Sequence, residues 1–334
     1  MSFFSRDKKQ DKSDDSSQEN SFSDYEKRIN EIEKQLIKQQ KEIKTLKEEN
    51  NEILDSYNDL FNTIFIDCKL EPKGYLKKSQ DISQELLNFI INVCNKHDIE
   101  YWLDYGTLLG SVRHNGFIPW DDDVDIAMVR KDYEKFINIV NDEIKNYNID
   151  ENIIIRIHKT HNVLFAQFVY NSTKLGKMLS KIDIFPYDFI KSYDETNIEQ
   201  DFKDEKNNLK RAIKNNEDPQ QSMNHYFEKV NVDYEKQDYI IPGIENCRSP
   251  FSKYSFAVLD TNKIFPLSEI EFNGKLYSCP NDCDYYLKEI YGDYSKIPKI
   301  TDTHGHVNRL KNIVGSNEEL DLNISKLKEI NNSF

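Results

Sequence analysis

Four aspartates fall within five positions of the sequence, Asp121, Asp122, Asp123 and Asp125, directly after Trp120 and running into Ile126, Ala127 and Met128. Like charges this close repel, and burying them is costly unless something positive compensates. Along a strand, alternate side chains share a face. Asp123 and Asp125 therefore point one way, while Val124 and Ile126 anchor the strand on the other. Two converging carboxylates are a ligand set for Mg²⁺ (or Mn²⁺), hard cations that take oxygen ligands; Mg²⁺ typically keeps waters and substrate phosphates in its shell. The stretch Lys181-Ile182-Asp183-Ile184-Phe185 repeats the alternation and supplies a third carboxylate, Asp183, expected on a neighbouring strand. Carboxylates on adjacent strands frame two-metal phosphoryl or nucleotidyl transfer. Upstream, Gly110 and Ser111 are expected at a helix start, where backbone N–H groups can approach a phosphate. Asp123, Asp125 and Asp183 are thus the expected catalytic metal ligands, and Gly110 and Ser111 the expected phosphate contacts.

The elements that must position these residues follow from periodicity. Apolar residues at Ile82, Leu86, Phe89, Ile90 and Val93 predict a helix over 77–97. Tyr101–Asp104 and Val124–Val129 read as strands, and Asp104, beside Tyr105 and Gly106, as the cap of the helix that carries Gly110. A second helix is expected over 131–146, with Tyr133, Phe136, Ile137, Val140 and Ile144 as its apolar stripe. Strands are expected at 153–158, 163–170 and 181–185, a charged helix within 193–217, and a mobile loop over 219–250. Asn273-Gly274 predicts a two-residue hairpin turn inside 269–278, followed by a short helix over 282–291. Mixed strands and helices give an α/β (α+β) catalytic domain over 75–315, with a polar tail over 316–334.

Ahead of that domain, residues 1–22 are polar and Ser-rich and read as disordered. A seven-residue repeat follows over 23–66. Ile29, Leu36, Ile43, Asn50, Tyr57 and Ile64 occupy one core position, and Tyr25, Ile32, Gln39, Leu46, Ile53 and Leu60 the other. This is the pattern of a coiled coil, and Asn50 at the first core position favours a parallel dimer; the alternative is one long amphipathic helix folding back on its own domain. Across such a homodimer Arg28 would face Glu33, and Glu42 would face Lys47.

The formal charge of −14 over 334 residues argues against a nucleic-acid partner, which would want a basic face. No run of apolar residues is long enough for a transmembrane segment, and the start lacks the apolar stretch of a signal peptide. The five cysteines show no disulfide framework, so a cytoplasmic location is expected, in solution or peripheral at the inner face of the membrane. Cys279 and Cys283 have no second pair at zinc-site spacing and read as ordinary thiols.

The stretch YWLDYGTLLGSVRHNGFIPWDDDVDIAM resembles the signature of LicD-type proteins, the group that includes fukutin and fukutin-related protein. KIDIFPYDF and FPLSEIEFNGKLYSCPNDCDYYLKEIYGDYSKIP resemble a second and a C-terminal motif of that group, and the similarity extends over about residues 80–310. The resemblance implies a nucleotidyltransferase-like fold with a mixed sheet. It also implies transfer of a phosphoalkyl group, phosphocholine in the best-known bacterial members, from a CDP-linked donor such as CDP-choline to a glycan acceptor. On that reading Asp123 and Asp125 would hold Mg²⁺ across the donor diphosphate, and Asp183 would ligate a second ion or take the acceptor proton. Arg113 would neutralise charge on the leaving CMP. Asp121 and Asp122 would support the site or form a solvated strand entry, the latter favoured for Asp122. A choline head group would want aromatic faces, for which Trp120 and Tyr187 are the candidates, with Trp102 and Phe185 assigned to the core. His304 and His306 read as a loop feature that could reach the site.

Overall fold

The structure, a computed structural model, describes residues 13–61, 63–64, 68, 70–156, 164–246, 256–295, 313 and 315–334. It divides into two units, Met1–Asn62 and Thr63–Phe334.

The first unit is one uninterrupted helix, α1 (Ser13–Phe61). Helix replaces the expected disorder from Ser13 onward. The apolar heptad positions from Tyr25 to Leu60 are 51–63 % exposed in this single chain. A lone helix of this polarity has nothing of its own to bury them against, and helices draw most of their stability from a covered apolar face.

The second unit is built on a mixed sheet ordered β1 (Trp102–Leu103), β2 (Val124–Val129), β5 (Lys177–Ile190), β4 (Ala166–Ser172) and β3 (Ile153–Arg156). β2 and β5 run parallel, and the other pairs are antiparallel. Beyond its paired stretch, β5 also holds β6 (Val232–Asp233) and β7 (Tyr239–Pro242), and β7 pairs with β8 (Leu259–Asp260). β5 is long and central, and from Ile182 to Ile190 it is buried throughout. That burial on both faces is what a strand covered by helices requires.

Helices α2 (Gly74–Lys96) and α4 (Arg130–Asn146) pack on β5, α4 through Tyr133, Phe136, Val140 and Ile144 as its periodicity predicts. α3 (Tyr105–His114) leans on β2 and on α8 (Cys283–Tyr291). The expected hairpin is present as β9 (Ser268–Phe272) and β10 (Lys275–Cys279), with Asn273 and Gly274 both at positive φ (50° and 78°).

Two segments differ from expectation. The tract expected to be a loop over 219–250 contains α6 (Pro219–Val230), whose start is set by Asp218 as cap and Pro219 in the first turn, and then β6 and β7. α6 packs on α5 (Ile198–Lys214) around Phe202, Leu209, Met223 and Tyr226. The expected polar tail is instead a helix, α9 (Ser316–Asn331), that lies along α2 and buries Leu320 and Leu327 completely. A short helix, α7 (Thr261–Ile264), completes the described elements.

A buried ion network ties α4 to the far end of β5. Arg130, 3 % exposed, donates from Nε and Nη2 to Asp188 (2.7 and 2.9 Å) and from Nη1 and Nη2 to Glu245 (2.6 and 2.9 Å). Tyr226 adds a hydroxyl to Asp188 at 2.8 Å. Burial alone would lower the guanidinium pKa, but the two carboxylates hold it well above its ordinary value.

Candidate active site

The carboxylates meet because β2 and β5 are parallel neighbours in register: Asp125 lies opposite Asp183. Asp123, two residues before Asp125, shares its face. Burial alternates along the strand entry, with Asp122, Val124 and Ile126 buried and Asp121, Asp123 and Asp125 half-buried. Asp183 is fully buried; its Oδ1 accepts from Gln167 Nε2 and its Oδ2 from Lys181 Nζ, each at 2.8 Å. Lys181 also stands 3.6 Å from Asp123. Desolvation would lower the Lys181 pKa, yet Asp183, Asp123 and Asp125 together raise it above its ordinary value. Lys181 was not singled out from the sequence, although the period of two that selects Asp183 also selects the residue two before it.

The helix that faces these carboxylates starts at Tyr105, directly after the expected cap Asp104, so Gly110 and Ser111 fall inside it rather than at its start. Asp104 caps α3, accepting from the Tyr105 N–H at 2.7 Å. Ser111 is 1 % exposed and donates back to the Thr107 carbonyl, while a side chain at Gly110 would run into the Gly116 backbone. Both are packed inside the helix, and the glycine at the helix start is Gly106. Thr107 Oγ1 accepts from the Asp125 N–H at 2.8 Å, and the Asp104 N–H donates to the Asp125 carbonyl at 3.0 Å. Both backbone polar groups of Asp125 are therefore fixed to the start of α3. A Cβ placed on Gly106 would lie 3.5 Å from Asp121 Oδ2 and 3.8 Å from Asp125 Oδ2. The two carboxylates converge on the one residue of the turn that has no side chain.

Tyr105, between the cap and that glycine, is held at φ 36°. The other non-glycine residues at positive φ among the described residues are Asn or Asp. A large side chain there carries strain of about 1–3 kcal/mol, of the kind found where a site over-determines the backbone.

Asp121 is part of the site, with Oδ1 accepting from the Asp122 and Asp123 N–H groups at 2.9 and 3.3 Å. Asp122 is no solvated strand entry. It is 5 % exposed, its Oδ2 accepts from Ser79 Oγ and its carbonyl from Ser83 Oγ, both at 3.0 Å. It pins the acidic loop to α2, a contact between residues too far apart in sequence for local pattern to show.

Tyr187 does not wall an open cage. It is fully buried, stacks edge-on against Trp102 at 5.1 Å, and shares a 2.6 Å hydrogen bond with the Tyr286 hydroxyl. Tyr286 in turn donates to Asp104. Burial outweighs these bonds and pushes the Asp104 carboxyl up to about 7. Trp102 and Phe185 lie in the core, and Trp120 is half-buried. Arg113 donates from Nη1 to the Tyr294 carbonyl at 3.3 Å, and its pKa is lowered by burial. His304 and His306 lie outside the described residues.

Among the described residues, no group of three or more His, Cys, Asp or Glu side chains is arranged to hold a metal ion. The donor set that converges near Gly106 is two or three aspartates wide and backed by a helix start. That suits a cation which takes one or two protein carboxylates and completes its shell with substrate phosphates and water.

The sequence of residues 98–223 matches the model of the LicD/FKTN/FKRP nucleotidyltransferase domain. The chain carries a LicD-family domain. It is 26 % identical over 259 residues to the lipopolysaccharide cholinephosphotransferase LicD of Haemophilus influenzae, covering 69 % of this chain and 95 % of that protein. A 49-residue stretch is 39 % identical to the human ribitol 5-phosphate transferase FKRP, covering 15 % of this chain and 10 % of that one. An uncharacterized protein of Rickettsia prowazekii is 45 % identical over 56 residues, 17 % of this chain and 21 % of its own. The LicD-type match begins at the strand-and-cap segment that leads into Gly106, contains all four acidic-loop aspartates and Asp183, and runs on into α6. No helix of the described residues is long and apolar enough to cross a membrane.

Proposed function

We propose that the LicD-type unit transfers a phosphoalkyl group, phosphocholine-like, from a CDP-linked donor to a hydroxyl of a cell-surface glycan such as lipopolysaccharide. The observation that carries this reading is the convergence of Asp121 and Asp125 on Gly106, with Asp123 on the same strand face and Lys181 beside it. The match to the H. influenzae cholinephosphotransferase over 95 % of that protein supports the choice of group.

On this reading Asp123 and Asp125, with Asp121 at their side, hold Mg²⁺ or Mn²⁺. When bound, the cation neutralises the donor phosphates and stabilises charge that develops as the CMP leaves. At the start of α3, Gly106 carries no side chain and lets phosphate oxygens come close to the aspartates. Lys181 sets a positive charge against Asp123 and Asp183. Asp183 is fully buried and bonded through both oxygens, so its part is to hold Lys181 on the active face. Thr107 and Asp104 fix the Asp125 backbone, so the carboxylate does not have to reorganise during transfer.

The test is incubation of the full chain with lipopolysaccharide as acceptor and, in separate reactions, CDP-choline, CDP-glycerol, CDP-ribitol or CTP in Mg²⁺, followed by phosphorus NMR. Release of CMP is expected. Pyrophosphate release from CTP, with no CMP from any donor, would instead make the unit a nucleotidyltransferase.

We also propose that α1 pairs in parallel with a second copy of itself, covering the exposed heptad stripe, with Asn50 selecting two strands. Light scattering should give a dimer for the full chain and a monomer for residues 63–334. A monomeric full chain would overturn the pairing.

A further inference from the structure

Lys181 stands where a second ion of the acidic site would have to be. It precedes Asp183 by two residues on β5, so the two side chains share a face of the strand. Its Nζ lies 2.8 Å from Asp183 Oδ2 and 3.6 Å from Asp123 Oδ1, and so joins carboxylates of two neighbouring strands. Sites that work with two divalent ions hold them about 3.5–4 Å apart. If Asp123 and Asp125 hold one ion, Asp183, opposite Asp125 in the sheet, is the carboxylate in line to hold another.

Access decides which cation can be there. The Asp183 side chain has no exposed surface, while that of Lys181 is 12 % exposed. The other oxygen of Asp183 accepts from Gln167 Nε2 at 2.8 Å, and Gln167 is its buried cross-strand neighbour on β4. An ion that reached Asp183 from the acidic loop would therefore have to take the place of the ammonium. A divalent ion held beside the ammonium would meet like charge at close range, and the repulsion grows as water is excluded. Among the described residues, no three His, Cys, Asp or Glu side chains are arranged around a further ion. An ammonium fixed in the strand has the sign of charge that such an ion would bring, is not lost to a chelator, and does not have to be recruited with the substrate.

We infer that Lys181 is a built-in substitute for a second metal ion: the site takes one divalent cation, on the Asp123–Asp125 side, and the ammonium supplies the other positive charge from the Asp183 side. The inference rests on the metal-dependent transfer proposed above and narrows it from two ions to one. It gives Lys181 a property that a merely structural ion pair lacks, because removing the lysine opens a place for an ion.

The experiment counts Mn²⁺ bound per chain in the full protein, by equilibrium dialysis and metal analysis with no donor present. The wild type should bind one ion, Lys181→Ala two, and Lys181→Arg, which keeps the charge, one. The two ions of Lys181→Ala, about 3.5–4 Å apart, should also give the exchange-coupled EPR spectrum that a single Mn²⁺ does not. Circular dichroism checks that the variants fold, and the melting temperature of Lys181→Ala should rise more with Mn²⁺ than that of the wild type. The wild-type count needs no variant, so the inference stays refutable if Lys181→Ala does not fold. Two ions in the wild type, or one in a folded Lys181→Ala, overturns the inference and leaves the transferase reading standing. A wild type that binds no ion overturns it as well, and the metal dependence of transfer is then judged separately, from CMP release in EDTA. Counts of one and two in a protein that releases no CMP from any donor support the role of Lys181 and refute the transferase reading instead.

Discussion

Gly106→Ala separates the fold from the chemistry at one atom. Gly106 lies in the first turn of α3 with no left-handed φ, so alanine fits its backbone. Alanine in place of glycine gains about 0.4–1 kcal/mol, from lower chain entropy in the unfolded state and higher helix propensity. The new methyl meets Asp121 Oδ2 at 3.5 Å and Asp125 Oδ2 at 3.8 Å, ordinary van der Waals contacts that displace nothing in the free protein. For a unit of this size the gain amounts to a rise of about 1–3 °C in Tm.

On the proposed reading, the same methyl occupies the place where a cation and the donor phosphates approach those oxygens. Mg²⁺ needs its oxygens at about 2.1 Å, whereas a carbon takes up about 3.5 Å or more from each neighbour. A displacement of the order of 1 Å at a reacting group costs about 100-fold in rate. The expected result is a slightly more stable protein with kcat down about 100-fold and a higher Mg²⁺ requirement. Differential scanning calorimetry and CMP release on one preparation decide it. A Gly106→Ala protein with wild-type turnover and wild-type Mg²⁺ dependence would refute the placement of the site at the start of α3.

Gly243 is the opposite case. A Cβ there would stand 2.6 Å from Arg130 Nη2 and 2.8 Å from Glu245 Oε2, so Gly243→Ala should lose about 1–3 kcal/mol, read by urea unfolding. Lys181→Met removes the cation that faces the buried Asp183. Breaking a buried pair costs about 3–5 kcal/mol, so the melting temperature should fall by several degrees and recover in part with Mg²⁺. Burial, with Arg113 adding, pushes the His114 imidazole down to about 4. The unfolded chain then binds the proton more readily than the folded one between about pH 6.5 and 4, so stability falls as pH drops through that window. His114→Gln should flatten that part of the stability profile, and an unchanged slope in the variant would assign the acid sensitivity elsewhere.

Much of this site could be read from the sequence because strand period is a local rule. Alternation alone set Asp123 and Asp125 on one face, and the same rule applied to 181–185 found Asp183, which the parallel pairing then brings opposite Asp125. Residue type made Asp104 legible as the cap, but Gly110 and Ser111 lie more than a turn inside the helix it starts, where packing against the chain at Gly116 sets their type. The burial of Asp122 depends on Ser79 and Ser83, and that of Tyr187 on Tyr286, partners set by tertiary packing. α9 was hidden for another reason. Leu320 and Leu327 are a narrow apolar stripe in a polar segment, and it needs α2 as a neighbour to become a core contact.

The acidic loop raises a question of charge, and the fold answers most of it without an ion. Asp121 accepts two backbone N–H groups, Asp122 a serine hydroxyl, and Lys181 lies against both Asp123 and Asp183. Each of these compensations comes from the chain itself and is in place before any ligand arrives. Preorganised charge of this kind does not have to be assembled during the reaction. A cation held by these aspartates would therefore serve the substrate rather than the fold. That is why the decisive measurements pair a stability readout with a turnover readout: withdrawing a structural metal would unfold the protein, whereas withdrawing a catalytic one would stop turnover and lower stability only by its own binding free energy.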